Sequence, residues 1–280
     1  MKTTKHSFTR IATLVLMSAL CFAASSFAAT PLNYPRGLAV DSKGNLYLAN
    51  YYGSQVLVYN PSYVQIRTIS QNVNGPTGVA IDPVGNLWVA NYGNNTITEY
   101  GPTGVQNTAA TLTVGVQGPA AIAVDGLGNV WVENGQSTVV VYDQFGNQIR
   151  SVSPPGGINI LGLAASEGWI AMGGANEVAV VRATWLLAAN QTFTTGTFTR
   201  TNAGLAIAAD AKGNFYIGSG DDSVVRYDLI HNLIWVFATE TFPPAGLAVD
   251  SVRGRIYVAN ELGNAILVYN TAGALLHTIQ

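Results

Sequence analysis

Apolar residues in this chain come in short runs of four to six, separated by polar or glycine-containing turns. In the stretch from Pro76 to Tyr100, the apolar runs Gly78–Ile81 and Leu87–Ala90 flank a turn containing Gly85 and Asn86. Runs of this length, rich in Val, Ile, Leu, Tyr and Trp and bounded by Gly, Asn, Asp and Pro, are typical of β-strands. The stretch therefore predicts three short strands, of which the third ends at Tyr100.

Nearly the same string recurs along the chain, and its spacing of about 42 residues lies within the range that is typical of repeat folds. The glycine and asparagine of its first turn recur as Gly44-Asn45, Gly85-Asn86, Gly128-Asn129 and Gly213-Asn214, with Gly254-Arg255 as a variant. The third strand ends at a tyrosine in five copies, namely Tyr59, Tyr100, Tyr142, Tyr227 and Tyr269. The interval from Tyr142 to Tyr227 is twice that between the other neighbouring tyrosines, so we place a sixth, degenerate copy at Gly162–Val181.

A fourth strand follows the tyrosine in most copies, at Val64–Ile69, Asn147–Val152, Leu233–Ala238 and Leu275–Ile279. Four short antiparallel strands in a repeat of this length are typical of one propeller blade. We predict an all-β chain folded as a six-bladed β-propeller of four-stranded antiparallel blades, at about 35–75, 76–117, 118–157, 158–201, 202–242 and 243–280. Each blade is one continuous repeat, so we expect side-chain packing between blades one and six to close the ring.

The repeated motif, P-x-G-[LV]-A-[VI]-D-x-x-G-N-[LV]-[YW]-[VL]-A-N followed by a strand ending in tyrosine, resembles the NHL repeat. It stands in full at Pro35–Tyr59 and Pro76–Tyr100, and the resemblance covers essentially all of the chain after the leader. Copy four departs from it with Ala165-Ser166 in place of the aspartate, and copy five with Gly218-Ser219 in place of Ala-Asn. The resemblance implies a six-bladed propeller that binds a protein, a peptide or a glycan.

The leader, residues 1–28, has the pattern of a signal peptide. Three basic residues precede the uncharged apolar run Ile11–Ala24, which is followed by small residues at Ser26 and Ala28. As a helix this run would span about 21 Å, which is shorter than the roughly 30 Å hydrocarbon core of a bilayer. We expect cleavage of residues 1–28, a secreted or periplasmic location, and no membrane span in the mature chain, 29–280.

Removing the leader changes both the thiol content and the charge. Cys21 is the only cysteine, so the mature chain has neither a disulfide nor a cysteine metal ligand. The mature chain then has 10 basic and 15 acidic residues, and no basic run remains. Because nucleic-acid binding depends on clustered Lys and Arg, we expect no nucleic-acid partner.

Residues that recur from blade to blade most simply have a structural role in the blade. The aspartates Asp41, Asp82, Asp125, Asp210 and Asp250 end the first strands, where a carboxylate accepts hydrogen bonds from the following turn amides. We predict this turn role for them in preference to cation binding, because the intervening residues lack the alternating oxygen ligands of a calcium loop. The aromatic residues Tyr47, Trp88, Trp131, Tyr216 and Tyr257 alternate with aliphatic neighbours, so we expect them to pack between blades.

The turns after the second strands differ between copies, and a binding site is expected in such variable loops. In a four-stranded meander they lie on the same face as the connections between blades. We therefore predict a ligand-binding face, with simple solvated turns as the alternative, built from Arg36, Tyr51, Tyr52, Tyr92, Asn95, Gln136, Asp221, Asp222 and Glu261.

Some six-bladed propellers that this chain resembles are lyases or lactonases of the gluconolactonase kind. Such chemistry generally needs a metal held by His or carboxylates, or a His acid–base pair. The mature chain has only His231 and His277, which we place away from the channel, and no G-x-S-x-G motif. We predict no catalytic residues and no cofactor.

The alternative is a metal-dependent lyase or lactonase with a divalent cation at the central channel. Glu133 interrupts the repeated Ala-Asn pair in copy three alone, and this alternative places a cation site beside it. Its ligands would be Glu133, Asn134, Asn50, Asn91 and Asn260.

Overall fold

The computed structural model describes residues 29–113, 115–135, 138–153, 160–166, 168–174, 178–183, 196–197, 206–228, 233–239 and 244–280. The predicted signal peptide, Gln136 and His231 lie outside these residues. Within them the chain forms six four-stranded antiparallel sheets. None of the described helical turns has the length and hydropathy of a membrane span. The prediction of an all-β, six-bladed β-propeller is confirmed.

The strands run in chain order through the blades, four to each. Blade one holds β1 (Pro35–Val40), β2 (Leu46–Asn50), β3 (Gln55–Tyr59) and β4 (Gln65–Ile69). Blade two holds β5 (Pro76–Ile81), β6 (Leu87–Asn91), β7 (Thr96–Tyr100) and β8 (Gln106–Leu112), with a 3-10 turn at Tyr92–Asn94. Blade three holds β9 (Ile122–Val124), β10 (Val130–Glu133), β11 (Val139–Tyr142) and β12 (Gln148–Val152).

Blade four, the degenerate copy, holds β13 (Ile160–Ser166), β14 (Trp169–Gly174), β15 (Val178–Arg182) and the two-residue β16 (Gly196–Thr197). Blade five holds β17 (Ala206–Ala209), β18 (Phe215–Ser219), β19 (Ser223–Tyr227) and β20 (Leu233–Ala238). Blade six holds β21 (Gly246–Asp250), β22 (Arg255–Asn260), β23 (Ala265–Asn270) and β24 (Leu275–Ile279). The first strand of each blade lines the channel and the fourth is the outer edge.

The turn between the first and second strands is built around the repeated aspartate, as predicted. In blade three, Asp125 Oδ1 accepts the backbone N–H groups of Leu127 and Asn129, both at 2.9 Å. Its Oδ2 accepts Asn129 Nδ2 at 2.9 Å and the indole Nε1 of Trp131 at 3.0 Å. Gly128 takes φ +83°, which a Cβ would oppose. The same carboxylate therefore fixes the turn and orients the aromatic side chain of the second strand.

The aromatic residues of the second strands pack between blades, which confirms the prediction. Trp131 of blade three joins Ile160 and Met172 of blade four in one buried cluster, and Tyr257 of blade six joins Leu48 of blade one in another. Burial, with the carboxylate of Asp210 beside it, raises the pKa of the corresponding Tyr216 to about 12. Each blade is therefore held to the next by apolar side chains.

Among the described strands, the ring closes between blades six and one without exchange of a strand, as expected from the continuous repeats. Leu32, which precedes β1, is buried in the cluster shared by these two blades. Arg253 Nη2 donates to the Lys43 carbonyl at 2.8 Å, and Arg255 Nη1 donates to the Pro61 carbonyl at 2.7 Å. Apolar packing and polar side-chain contacts thus replace a shared strand.

Candidate functional site

Three tyrosines form an aromatic cluster on the face that carries the turns between second and third strands. Tyr51 and Tyr52 open the turn of blade one, and Tyr34 lies in the connection that enters this blade. The Tyr34 and Tyr52 ring centroids are 4.8 Å apart, and those of Tyr51 and Tyr52 are 4.9 Å apart. Tyr52 is 63% exposed, so one ring of the cluster is open to a ligand. We call Tyr34, Tyr51 and Tyr52 the tyrosine platform.

A charged pair from two blades supports the platform. The Arg36 guanidinium lies 4.3 Å from the Tyr51 ring centroid and 5.3 Å from that of Tyr34. Its Nε donates to Glu261 Oε1 of blade six at 2.5 Å. Both side chains are partly exposed, at 33% for Arg36 and 21% for Glu261. Because the carboxylate balances the guanidinium, the pair offers hydrogen-bonding groups beside the rings without a net charge.

Tyr34 has a backbone conformation that is unfavourable for its residue type. Its φ of 63° lies in the left-handed region, where the corresponding positions of blades two and three carry Gly75 and Gly118. A side chain in this region costs about 1–2 kcal/mol relative to the right-handed one. Asn264 Oδ1 of blade six accepts the Tyr34 N–H at 2.7 Å and holds the residue there. Backbone strain of this kind concentrates at binding sites.

The turn of blade two continues this face. Tyr92 is 50% exposed and occupies the position of Tyr51. A Cβ built on Gly75 would lie 3.5 Å from Cε2 of Tyr51 and 3.3 Å from the backbone nitrogen of Gly93, so the two turns flank the same glycine. Asn95 Oδ1 accepts the Gly118 N–H at 2.7 Å. Tyr92 is therefore available for binding, whereas Asn95 ties blade two to the connection that enters blade three.

The remaining predicted ligand residues are spread around the ring. Asp221 and Asp222 form the turn of blade five, so blade six separates them from the platform. Asp221 Oδ1 accepts the Ser223 hydroxyl at 2.6 Å, and the Asp222 carbonyl accepts the N–H of Thr239 at 2.7 Å. The structure thus brings together Arg36, Tyr51, Tyr52 and Glu261 and leaves these aspartates apart.

The prediction from the variable turns omits Tyr34, which lies in the connection before β1. The signal was present as Asn33-Tyr34-Pro35, which aligns with Asn74-Gly75-Pro76 and Gln117-Gly118-Pro119. A tyrosine where sister repeats carry glycine marks a position with an altered role.

The asparagines assigned to a cation site accept hydrogen bonds from nearby backbone groups. Asn50 Oδ1 accepts the Asn33 N–H at 2.6 Å, and Asn91 Oδ1 accepts the Asn74 N–H at 3.1 Å. Asn134 Oδ1 accepts the Gln117 N–H at 2.5 Å, and Asn260 Oδ1 accepts the Gly263 N–H at 2.9 Å. Three of these oxygens bind the connection that enters their blade, and that of Asn260 binds the turn after its own strand. A scaffold role is therefore shown, and cation binding stays a prediction.

Glu133 is a buried carboxylate at the end of β10. Only 2% of the residue is exposed, and its Oε2 accepts the Ala120 N–H at 3.2 Å. Burial raises its pKa, while hydrogen bonds from the backbone of Gly135 and Ala120 partly oppose the rise. A carboxyl with a raised pKa is a known feature of catalytic sites and of buried structural acids alike.

The central channel is walled by small and apolar residues. Its cavity on the platform side has a volume of about 60 Å³ and is lined by residues such as Gly37, Thr77, Gly78 and Gly246. A Cβ on Gly37 would lie 2.6 Å from Cα of Gly78, so the first strands of neighbouring blades approach closely. No group of three His, Cys, Asp or Glu residues that could hold a metal occurs in the described part of the chain.

These features define the chain's class as a six-bladed β-propeller with a polar and aromatic face around a narrow apolar channel. The NHL repeat pattern matches residues 32–59 and 73–100. The chain is therefore a six-bladed β-propeller that contains NHL repeats in its first two blades. A search of curated proteins by sequence gave no match.

Solved structures share the fold at low sequence identity. A streptogramin B lyase has 13% identity and a TM-score of 0.64, over 90% of this chain and 84% of its own. The virginiamycin B lyase from Staphylococcus aureus has 12% identity and a TM-score of 0.63, over 89% and 86% of the two chains. Hydrazine synthase from Kuenenia stuttgartiensis has 15% identity and a TM-score of 0.63, over 90% and 100%. These likenesses show the fold alone.

Proposed function

We propose that this protein is an exported, non-catalytic binding module that holds a glycan on the tyrosine platform. The observation that carries the proposal is the clustering of Tyr34, Tyr51 and Tyr52, with Tyr52 63% exposed. Tyrosine offers a rigid apolar ring and a hydroxyl at small cost in conformational entropy, which suits a ligand with alternating C–H faces and hydroxyl groups.

The electrostatics of the platform favour a neutral sugar over a charged peptide. Glu261 already balances the Arg36 guanidinium, so no uncompensated charge of this pair faces the ligand. Their partial exposure leaves N–H and carboxylate groups free to meet sugar hydroxyls. The export signal predicted for residues 1–28 would place the module outside the cytoplasm, where surface and matrix glycans occur.

The enzyme alternative, a metal-dependent lyase or lactonase, has two observations in its favour, the buried Glu133 and the shared lyase fold. One of the similar solved structures is a catalytically inactive virginiamycin B lyase in which alanine replaces a histidine. In the present chain, the described His277 is stacked on Tyr63 at a centroid distance of 4.3 Å in the outer strand of blade six. This placement favours the binding proposal.

The test is a glycan array followed by titration calorimetry with the best ligand. We expect binding to fall about 5-fold to 150-fold in Tyr52→Ala, since one stacked ring contributes about 1–3 kcal/mol. Phe145→Ala is the matched control, because Phe145 is 75% exposed in the turn at the opposite face. Equal loss in both variants, or binding to peptides alone, would contradict the proposal.

A separate measurement decides the enzyme alternative. Metal content is determined by mass spectrometry before and after chelation. One stoichiometric divalent ion, whose removal lowers the thermal stability, would support the cation site at Glu133 and call for a lactone and lyase substrate screen.

A further inference from the structure

The outer strand of blade five differs from the other outer strands. β20 has the sequence Leu-Ile-Trp-Val-Phe-Ala, in which the indole N–H of Trp235 is the sole polar side-chain group. Other outer strands carry polar or charged residues, such as Arg67 in β4 and Arg150 in β12. Charged residues on an edge strand oppose pairing with another sheet, and β20 lacks this protection.

β20 is an edge in hydrogen bonding and is exposed on both faces. In its sheet it pairs with β19 only, so one row of backbone N–H and C=O groups is unpaired within the described residues. Ile234 and Val236 are 43% and 47% exposed on one face, and Leu233 is 47% exposed. On the other face Trp235 and Phe237 are half-buried, with ring centroids 5.1 Å apart. This edge offers both apolar surface and free backbone groups.

We propose that β20 pairs with β20 of a second copy of this chain, antiparallel across a two-fold axis. A two-fold contact brings each residue of the strand against the same strand, so like charges would repel there. β20 is suited to it because it carries no charge and no polar side chain other than the Trp235 indole. A pair of β4 or β12 strands would bring arginines of both copies together, and β8 and β24 carry polar residues such as Asn107 and His277. The contact joins two blades into one eight-stranded sheet.

The two-fold pairing also limits the assembly to two copies. Among the described outer strands, each copy has one such apolar edge, and pairing uses it in both copies, so growth stops at the dimer. A strand of six residues is about 20 Å long, and a contact of this size is at the small end of specific interfaces. We expect a reversible dimer with a dissociation constant on the order of 100 µM.

The test measures mass by sedimentation velocity over a concentration series that spans this value. Wild-type protein is expected to shift from monomer to dimer. Val236→Lys is expected to stay monomeric with an unchanged circular dichroism spectrum. Ile66→Lys is the matched control, since Ile66 is 42% exposed on the outer strand of blade one, and it is expected to dimerise like wild type.

Hydrogen exchange identifies the contact itself. Amides of 233–238 are expected to exchange more slowly at high protein concentration than at low concentration, and those of β4 are expected not to change. A wild-type monomer throughout the series, fibres in place of dimers, or a dimer that persists in Val236→Lys would overturn the proposal.

Discussion

Replacing Asp125 by alanine tests how much the repeated turn aspartate stabilises a blade. Its carboxylate accepts four hydrogen bonds, from the backbone of Leu127 and Asn129, from Asn129 Nδ2 and from Trp131 Nε1. Asp125 is 3% exposed and Trp131 is fully buried, so water does not readily replace the lost acceptor. A buried donor left without a partner costs about 1–3 kcal/mol.

We expect Asp125→Ala to lower the free energy of unfolding by about 2–4 kcal/mol, of which about 1–3 kcal/mol comes from the buried Trp131 indole N–H and the rest from the three partly buried donors. In a chain of this size the loss corresponds to a fall in Tm on the order of 10 °C. The assay is urea unfolding followed by circular dichroism and tryptophan fluorescence.

The matched control is Asp143→Ala, in the turn between β11 and β12. Asp143 accepts the Phe145 and Asn147 N–H groups and Asn147 Nδ2, each at 2.9 Å, but no aromatic donor. This turn is more exposed, so we expect a loss of about 1 kcal/mol or less. If Asp143→Ala were as destabilising as Asp125→Ala, the reasoning from burial and the indole bond would be refuted.

Three further changes have directions fixed by the structure. Burial raises the pKa of Glu133 above its ordinary value of 4.5, so the free energy of unfolding of the wild type falls as pH rises above 4.5 and the carboxyl ionises. Glu133→Gln should therefore be more stable than wild type above pH 4.5 but not below it. The measurement is the urea midpoint as a function of pH. Tyr34→Gly relieves the left-handed strain but removes a ring, so stability should change by under about 1 kcal/mol while glycan affinity falls. The matched control is Tyr63→Gly, since Tyr63 is also left-handed at φ 64° but lies on the opposite face; this change should leave glycan affinity unchanged. Asn134→Ala removes bonds to Gln117 N–H and the Gly115 carbonyl and should cost about 2–3 kcal/mol in chemical unfolding; no loss would contradict its scaffold role.

The sequence by itself determined the repeat, the number of blades and the roles of residues that act within one repeat. Asp125 and Gly128 lie close along the chain to the groups they serve, so spacing alone predicts their turn. The aromatic residues were predictable too, because alternation along a strand places them together on one face of the sheet, where they pack against a neighbouring blade.

Only the tertiary structure decided which residues of different blades meet. Arg36 and Glu261 are 225 positions apart, and their contact depends on how the ring closes. The exposure of the apolar strand β20 was also decided by the tertiary structure. Its apolar sequence can be read directly, but its exposure follows from its place as the outermost strand of blade five. Local patterns define each blade, whereas a site shared by blades six and one exists only after six repeats have packed into a closed ring.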